Sequence, residues 1–179
     1  TSAAIAMVPY NRIQYGVFSG RTVRENLTVS TLESRSRFGV VDRTSEAEAV
    51  RKSIEKLSVR LSSPDQPIES LSGGNMQKVV VGRWLLFNPR VVIALEPTQG
   101  IDVGTKQQLY ALLRQLADEG IVVLLYTTDM LELVGLCNRV LVMNHGMLTG
   151  DIRGEDISEE NIMRAAVSNE NILQERSAG

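Results

Sequence analysis

Leu71-Ser72-Gly73-Gly74-Asn75-Met76-Gln77-Lys78-Val79 decides how this chain is read. Before it, Pro64 to Ser70 is polar, and Pro64, Asp65 and Pro67 disfavour a helix. After it, Met76 to Phe87 is helix-compatible until Asn88-Pro89 stops it. Two glycines therefore stand at a helix N-terminus. Bare backbone N–H groups, the small Ser72 hydroxyl and the positive end of the helix dipole meet there, as an anion site requires. An ordinary capped helix start would look the same, so the residues that follow decide.

They are Val91-Val92-Ile93-Ala94-Leu95-Glu96-Pro97-Thr98-Gln99-Gly100-Ile101-Asp102. An apolar, β-branched run ended by an acid and a proline reads as a buried parallel strand. Glu96 falls at its carboxyl end, where open α/β sheets place ligands. The order Leu-Ser-Gly-Gly-x-x-Gln, helix, strand, Glu-Pro-Thr, Gly-Ile-Asp resembles the ATP-binding subunits of ABC transporters. The resemblance runs from about Val8 to about Val167. It implies an α/β fold: a P-loop NTPase core with a parallel sheet and a helical signature subdomain, here truncated at its N-terminus.

At 179 residues and 43% hydrophobic, the chain suits one domain with a respectable core. A formal charge of −2 with scattered Lys and Arg offers no field for nucleic acid. That argues against a role in translation or repair, and no nucleic-acid partner is expected. A single cysteine, Cys137 in an apolar setting, excludes a disulfide framework and fits the cytosol. No apolar run approaches the roughly 20 residues that span a bilayer, so work at a membrane is expected to proceed by docking.

In order, Ile5 to Pro9 reads as a strand, and Thr22 caps a short helix from Val23 to Leu27. Thr28 to Asp42 is polar with a possible helix. Ser45 and Glu48 form a capping box for a helix ending near Leu57. Gly100 to Gly104 reads as a loop, and Lys106 to Asp118 carries a helical stripe of Leu109, Leu112, Leu113 and Leu116. Ile121 to Tyr126 reads as a second wholly buried strand, and Met130 to Leu136 as a helix. Arg139 to Met143 and Met147 to Ile152 form a hairpin, followed by a helix from Ser158 to about Val167. The expected organisation is a partial ATPase domain over 1–167, with a signature subdomain at about 22–88, core elements at about 89–150, a hairpin and helix at about 147–167, and a flexible tail over 168–179.

Phosphoryl transfer needs a phosphate cradle, Mg²⁺ ligands, a group placing the attacking water and charge stabilisation. No Gly-x-x-x-x-Gly-Lys-Ser/Thr surrounds Lys52, Lys56, Lys78 or Lys106. In the family that motif precedes the segment aligned with Ile5 to Arg12, so the chain is expected to begin downstream of it. The resemblance implies Asp-Glu at the first strand's end. Leu95 holds the Asp position and cannot ligate a hard cation, while Glu96 remains as candidate base. Thr128 holds the position of the histidine that touches the γ-phosphate, and Tyr10-Asn11 replace carboxylates seen in the sugar branch. His145 reads as a solvated turn residue. Asp102 serves equally as a helix cap.

In the family two ATPase domains stack head to tail, each signature closing over ATP held by the other. The resemblance therefore assigns Ser72, Gly73, Gly74, Gln77 and Asp102 to ATP of a partner domain, with Mg²⁺ held outside this chain. Alone, the chain is expected to be inactive. Implied partners are a second ATPase domain in the same polypeptide or a dimer, membrane permease subunits and, indirectly, a periplasmic sugar-binding protein, at the cytoplasmic face of the membrane. The rival expectation is a non-catalytic, decayed or regulatory docking domain. A missing P-loop strand would leave a sheet edge open. The isolated chain is then expected to dimerise or aggregate in size-exclusion chromatography; a monodisperse, cooperatively melting monomer contradicts the missing strand.

Overall fold

A computed structural model describes residues 4–168. The chain forms two compact units, Thr1–Tyr126 and Thr127–Gly179. The tail expected from Ser168 lies, from residue 169, outside the described residues.

In the first unit, β1 (Ile5–Val8), β4 (Val91–Leu95) and β5 (Val122–Tyr126) form a parallel sheet in the order β1-β4-β5. Between β1 and β4 come α1 (Val23–Thr28), a two-stranded ribbon of β2 (Ser36–Arg37) and β3 (Val40–Val41), α2 (Arg43–Leu57) and α3 (Gly73–Leu85). The helix α4 (Val103–Asp118) joins β4 to β5. The α/β class with a parallel sheet is thus as expected. One core collects Ala6, Val8 and Val92 from the sheet with Leu27, Val79, Val80, Leu109, Leu112 and Leu116 from the helices.

The described residues cover only one face of this sheet. Ala6, Val8, Val92 and Ala94 are buried, while Ile5, Met7, Val122, Leu124 and Tyr126 on the other face are exposed. The register sets Ile93 between Met7 and Leu124. The expectation of a wholly buried strand over 121–126 is therefore corrected: Val122, Leu124 and Tyr126 are 61, 52 and 59% exposed. An apolar run on both faces shows that a strand can be buried twice. It does not show that the described residues supply the second cover.

Local chemistry moves other boundaries. Thr22 caps α1 as expected, in a reciprocal box with Glu25. The cap of α2 is Asp42, not Ser45: its Oδ1 accepts from the N–H groups of Thr44 at 2.9 Å and Ser45 at 3.1 Å. Glu48, expected in the Ser45 box, pairs with Lys52 at 2.7 Å. The possible helix in 28–42 is two short 3₁₀ turns and the β2–β3 ribbon, turned by Phe38 and Gly39 at φ 54° and 77°. The helices expected at Met76 and Lys106 begin three residues earlier, at Gly73 and Val103, where Ser72 and Asp102 cap them.

The second unit holds α5 (Met130–Leu136), the hairpin β6 (Arg139–Asn144) and β7 (Met147–Arg153), and α6 (Glu159–Val167). His145 and Gly146 turn the hairpin with φ of 46° and 78°, the primed conformation that matches strand twist. Val140, Val142, Ile157 and Ile162 form its small core. Asp151 bonds Arg153 and Arg139, which together hold its carboxyl far below the usual range. Cys137 is half-buried rather than fully enclosed, and burial raises its thiol pKa. No helix among the described residues is long and apolar enough to cross a membrane.

Gly82 is where α3 meets its neighbours most closely. A Cβ there would lie 2.6 Å from Leu57 Cδ1 and 3.0 Å from Leu27 Cδ2. Gly82→Ala is expected to destabilise the protein by about 1–3 kcal/mol, through overpacking that outweighs its gain in helix propensity. Thermal melting checks this; an unchanged or raised midpoint contradicts it.

Candidate functional site

The first turn of α3 carries the candidate site. Ser72 Oγ accepts from the Asn75 N–H at 3.4 Å and from Asn75 Nδ2 at 2.9 Å. Asn75 Oδ1 in turn accepts from the Arg60 N–H at 2.8 Å. The preceding loop is laced to α1: Arg24 meets Asp65 at 2.7 and 3.2 Å, and the N–H groups of Val23 and Ile68 donate to the Gln66 and Arg21 carbonyls. Leu71 and Ile68 are buried beneath it. Ser72 is left exposed above a fixed base.

Both glycines are required by close approach. A Cβ on Gly73 would lie 2.6 Å from Arg12 Nη2, and one on Gly74 would lie 2.5 Å from Thr105 Cγ2. The turn thus sits against the start of α4. There Asp102 Oδ1 accepts from the Thr105 N–H at 3.0 Å and Oδ2 accepts from the Thr105 hydroxyl at 2.8 Å. These bonds, the backbone one foremost, hold the Asp102 carboxyl below its usual range. Ser72, Gly73, Gly74 and Asp102 are therefore brought together. Ser72 and Asp102 are exposed, Gly73 is half-buried and Gly74 buried, and Gln77 is turned inward. It lies one turn along α3 with 2% exposure, and its Nε2 has no hydrogen-bond partner among the described residues. Lys78, also buried, donates to the Ser58 carbonyl at 2.9 Å at the end of α2.

Glu96 stands at the end of β4 in a left-handed conformation, φ 43°, its N–H donating to the Tyr126 carbonyl at 2.8 Å. With Tyr10, Leu95, Gln99 and Tyr126 it lines a cavity of about 470 Å³ at the carboxyl ends of the strands. Tyr10 also packs against Tyr15, ring centroids 5.5 Å apart. Glu96 is the one carboxylate in this lining, beside the Gln99 amide, and Leu95 adds no oxygen ligand for Mg²⁺ from its side chain. Nor does any cluster of three or more His, Cys, Asp or Glu suited to a metal form among the described residues. Thr128 belongs to the second unit, exposed beside Asp129, whose Oδ1 accepts from the Leu131 N–H at 3.1 Å at the start of α5. His145 is exposed in its turn.

The ABC transporter family model matches residues 1–99, more than half of the chain. This chain belongs to the ABC transporter family. A ribose import ATP-binding protein of Rhizobium etli is 43% identical over 165 residues, 92% of this chain and 32% of the relative. A xylose import ATP-binding protein of Photobacterium profundum is 42% identical over 166 residues, 93% of this chain and 33% of the relative. The chain thus spans about a third of the length of the curated relatives it matches. In fold it is similar to a dimeric ATP-binding cassette in a post-hydrolysis state bound to ADP and Pi. The TM-score is 0.71 at 22% identity, over 84% of this chain and 63% of that one. The ABC ATPase fold is thereby shown.

Sequence reasoning missed two arginines around this ABC signature. Arg12 reaches from the loop after β1 to the carbonyls of Gln99 and Gly100, and no sequence signal marks so distant a pairing. Arg83 is buried at 4% exposure in α3. It donates to Asn26 O, Asn26 Oδ1 and Gly16 O, and lies 4.8 Å from the Phe18 ring. Burial lowers its pKa to about 10. A charge inside Val79-Val80-Val81-Gly82-Arg83-Trp84 was a usable signal, since a cation on an apolar helix stripe must find acceptors.

A depressed carboxyl pKa means that the ionised form stabilises the fold above the usual carboxylate range and that this contribution is lost as pH falls below it. Asp102→Asn keeps a capping oxygen but cannot titrate. The difference in melting temperature between the wild type and Asp102→Asn is expected to shrink from pH 7 down to about pH 3, through the carboxylate range. A constant difference across that span contradicts the assignment.

Proposed function

We propose that the chain is the signature-bearing part of a sugar ABC importer's ATP-binding subunit, completing an ATP site whose phosphate cradle lies on a partner ATPase domain. The supporting observation is the convergence of exposed Ser72, half-buried Gly73 and buried Gly74 with the Asp102 loop, with both glycines held side-chain-free by their neighbours. The first N–H groups of a helix have no intrahelical acceptor. Together with the Ser72 hydroxyl they form a fixed set of donors for the charge that develops on a transferring phosphoryl group. ATP bound by the partner with its Mg²⁺ supplies the phosphoanhydride; this chain orients and stabilises. The ribose and xylose import relatives support the sugar-importer branch. In this reading the signature subdomain spans about 22–88, the permease subunits and a second ATPase domain are the direct partners, and the working place is the cytoplasmic face of the membrane.

The chain's own strand-end cavity is degenerate in this proposal. Tyr10 and Leu95 stand where oxygen ligands would be needed, leaving Glu96 as a base without a metal beside it, and Thr128 as the residue in the switch position. The same cavity favours the second reading, a docking domain with no part in hydrolysis. Ser72→Ala separates them. In the assembled transporter, loss of this hydroxyl is expected to lower ATP turnover and sugar uptake by about a hundredfold, as for removal of one preorganised donor. Turnover and uptake within a factor of two of wild type would favour the docking reading.

A further inference from the structure

Arg12 is a half-buried cation with no acidic partner among the described residues, and burial alone lowers its pKa. Its Nη1 donates to the Gln99 carbonyl at 2.7 Å and its Nη2 to the Gly100 carbonyl at 2.9 Å. Its Nε has no acceptor among the described residues. The same Nη2 occupies the space where a Gly73 side chain would begin, and a Cβ on Gly100 would lie 3.7 Å from it. One guanidinium thus touches the turn before Asp102 and the first turn of α3 while rooted in the loop after β1.

That root is firm. Asn11 caps the widened turn Arg12–Gly16 by accepting from the Gln14 N–H at 3.1 Å. At its far end, the Gly16 carbonyl accepts from buried Arg83 at 2.6 Å. Gly100 has φ 67°, a left-handed conformation that glycine adopts readily, so its carbonyl turns toward the fork without backbone strain. A planar fork spans two successive carbonyls with fixed geometry, which the single ammonium of lysine cannot reproduce.

We propose that Arg12 is a positioning residue that sets the spacing between the signature turn and the Asp102 loop, so that both meet the partner-held ATP in register. The proposal rests on the shared-site reading above. Its role is indirect: with the fork removed, Gln99 and Gly100 exchange their bonds for water, and the loop settles away from Gly73. Displacements of about 1 Å in a positioning element can cost about a hundredfold in rate.

A double-mutant cycle of Arg12→Ala and Gly73→Ala, with Arg12→Lys as conservative variant, tests this. Amide hydrogen exchange over residues 99–105 and ATP turnover in the assembled transporter are both read. Arg12→Ala is expected to speed exchange over 99–105 by about tenfold, leaving β4 protected. Arg12→Lys should restore little. Gly73→Ala, which displaces Nη2, should speed the same amides yet add little in the Arg12→Ala background, because the two changes break one contact. Turnover should fall mainly in kcat. Unchanged exchange, or additive effects of the two substitutions while turnover still depends on Ser72, would overturn the role of Arg12 alone. A coupled cycle with turnover indifferent to Ser72 would overturn the shared-site reading, and the positioning role with it.

Discussion

A buried guanidinium with no carboxylate beside it among the described residues fixes the helical layer of this protein. Desolvating Arg83 is tolerable only because its donors find oxygen in well-placed positions. The carbonyls of Gly16 and Asn26 and the Asn26 side-chain oxygen provide them, and the Phe18 ring faces the cation. Asn26 is itself fully enclosed, its Nδ2 donating to the Phe18 and Thr22 carbonyls. The acceptors belong to α1 and to the loop after β1, so α3 can neither slide nor rotate without abandoning them. The signature turn stands at the N-terminus of α3, and its height above the sheet follows from that lock.

The two ends of the chemistry carry opposite surfaces. At the signature turn, an exposed hydroxyl precedes two glycines that add no side chain. At the carboxyl ends of β1, β4 and β5, two tyrosines, Leu95 and Gln99 surround a single carboxylate. Under the shared-site reading, charged phosphate with its cation is met by the first and not by the second. An ABC domain that gives a signature to its neighbour needs only the first to be maintained, which makes the asymmetry coherent under the shared-site reading.

Much of this was legible in the residues. The signature, the strand ending at Glu96, the hairpin turned at His145 and the stripe on α4 are local patterns whose period or turn chemistry leaves few alternatives. Caps were harder. Ser45 with Glu48 matched a familiar spacing, yet Asp42 reached two N–H groups from outside it, and α2 starts where its carboxylate dictates. The run Val122 to Tyr126 is apolar throughout, and pattern alone is silent on whether both faces find cover. Gln77 shared a motif with Ser72, but helical geometry one turn on carries it inward. Arg12 was invisible because its partners lie on the far side of the intervening helices, and no sequence period encodes a contact set by tertiary folding.

The parallel sheet also implies an order of assembly. β4 and β5 are separated by one helix, so their pairing closes a modest loop. β1 meets β4 only after the whole segment bearing α1, α2 and α3 has been gathered, since Ile5 registers with Val91. Loop-closure entropy makes such a distant pairing late and slow. The loop that carries Tyr10 and Arg12 follows β1 directly, so it reaches its place in the last stage of folding. It is also the first part to be lost when the protein opens from that edge.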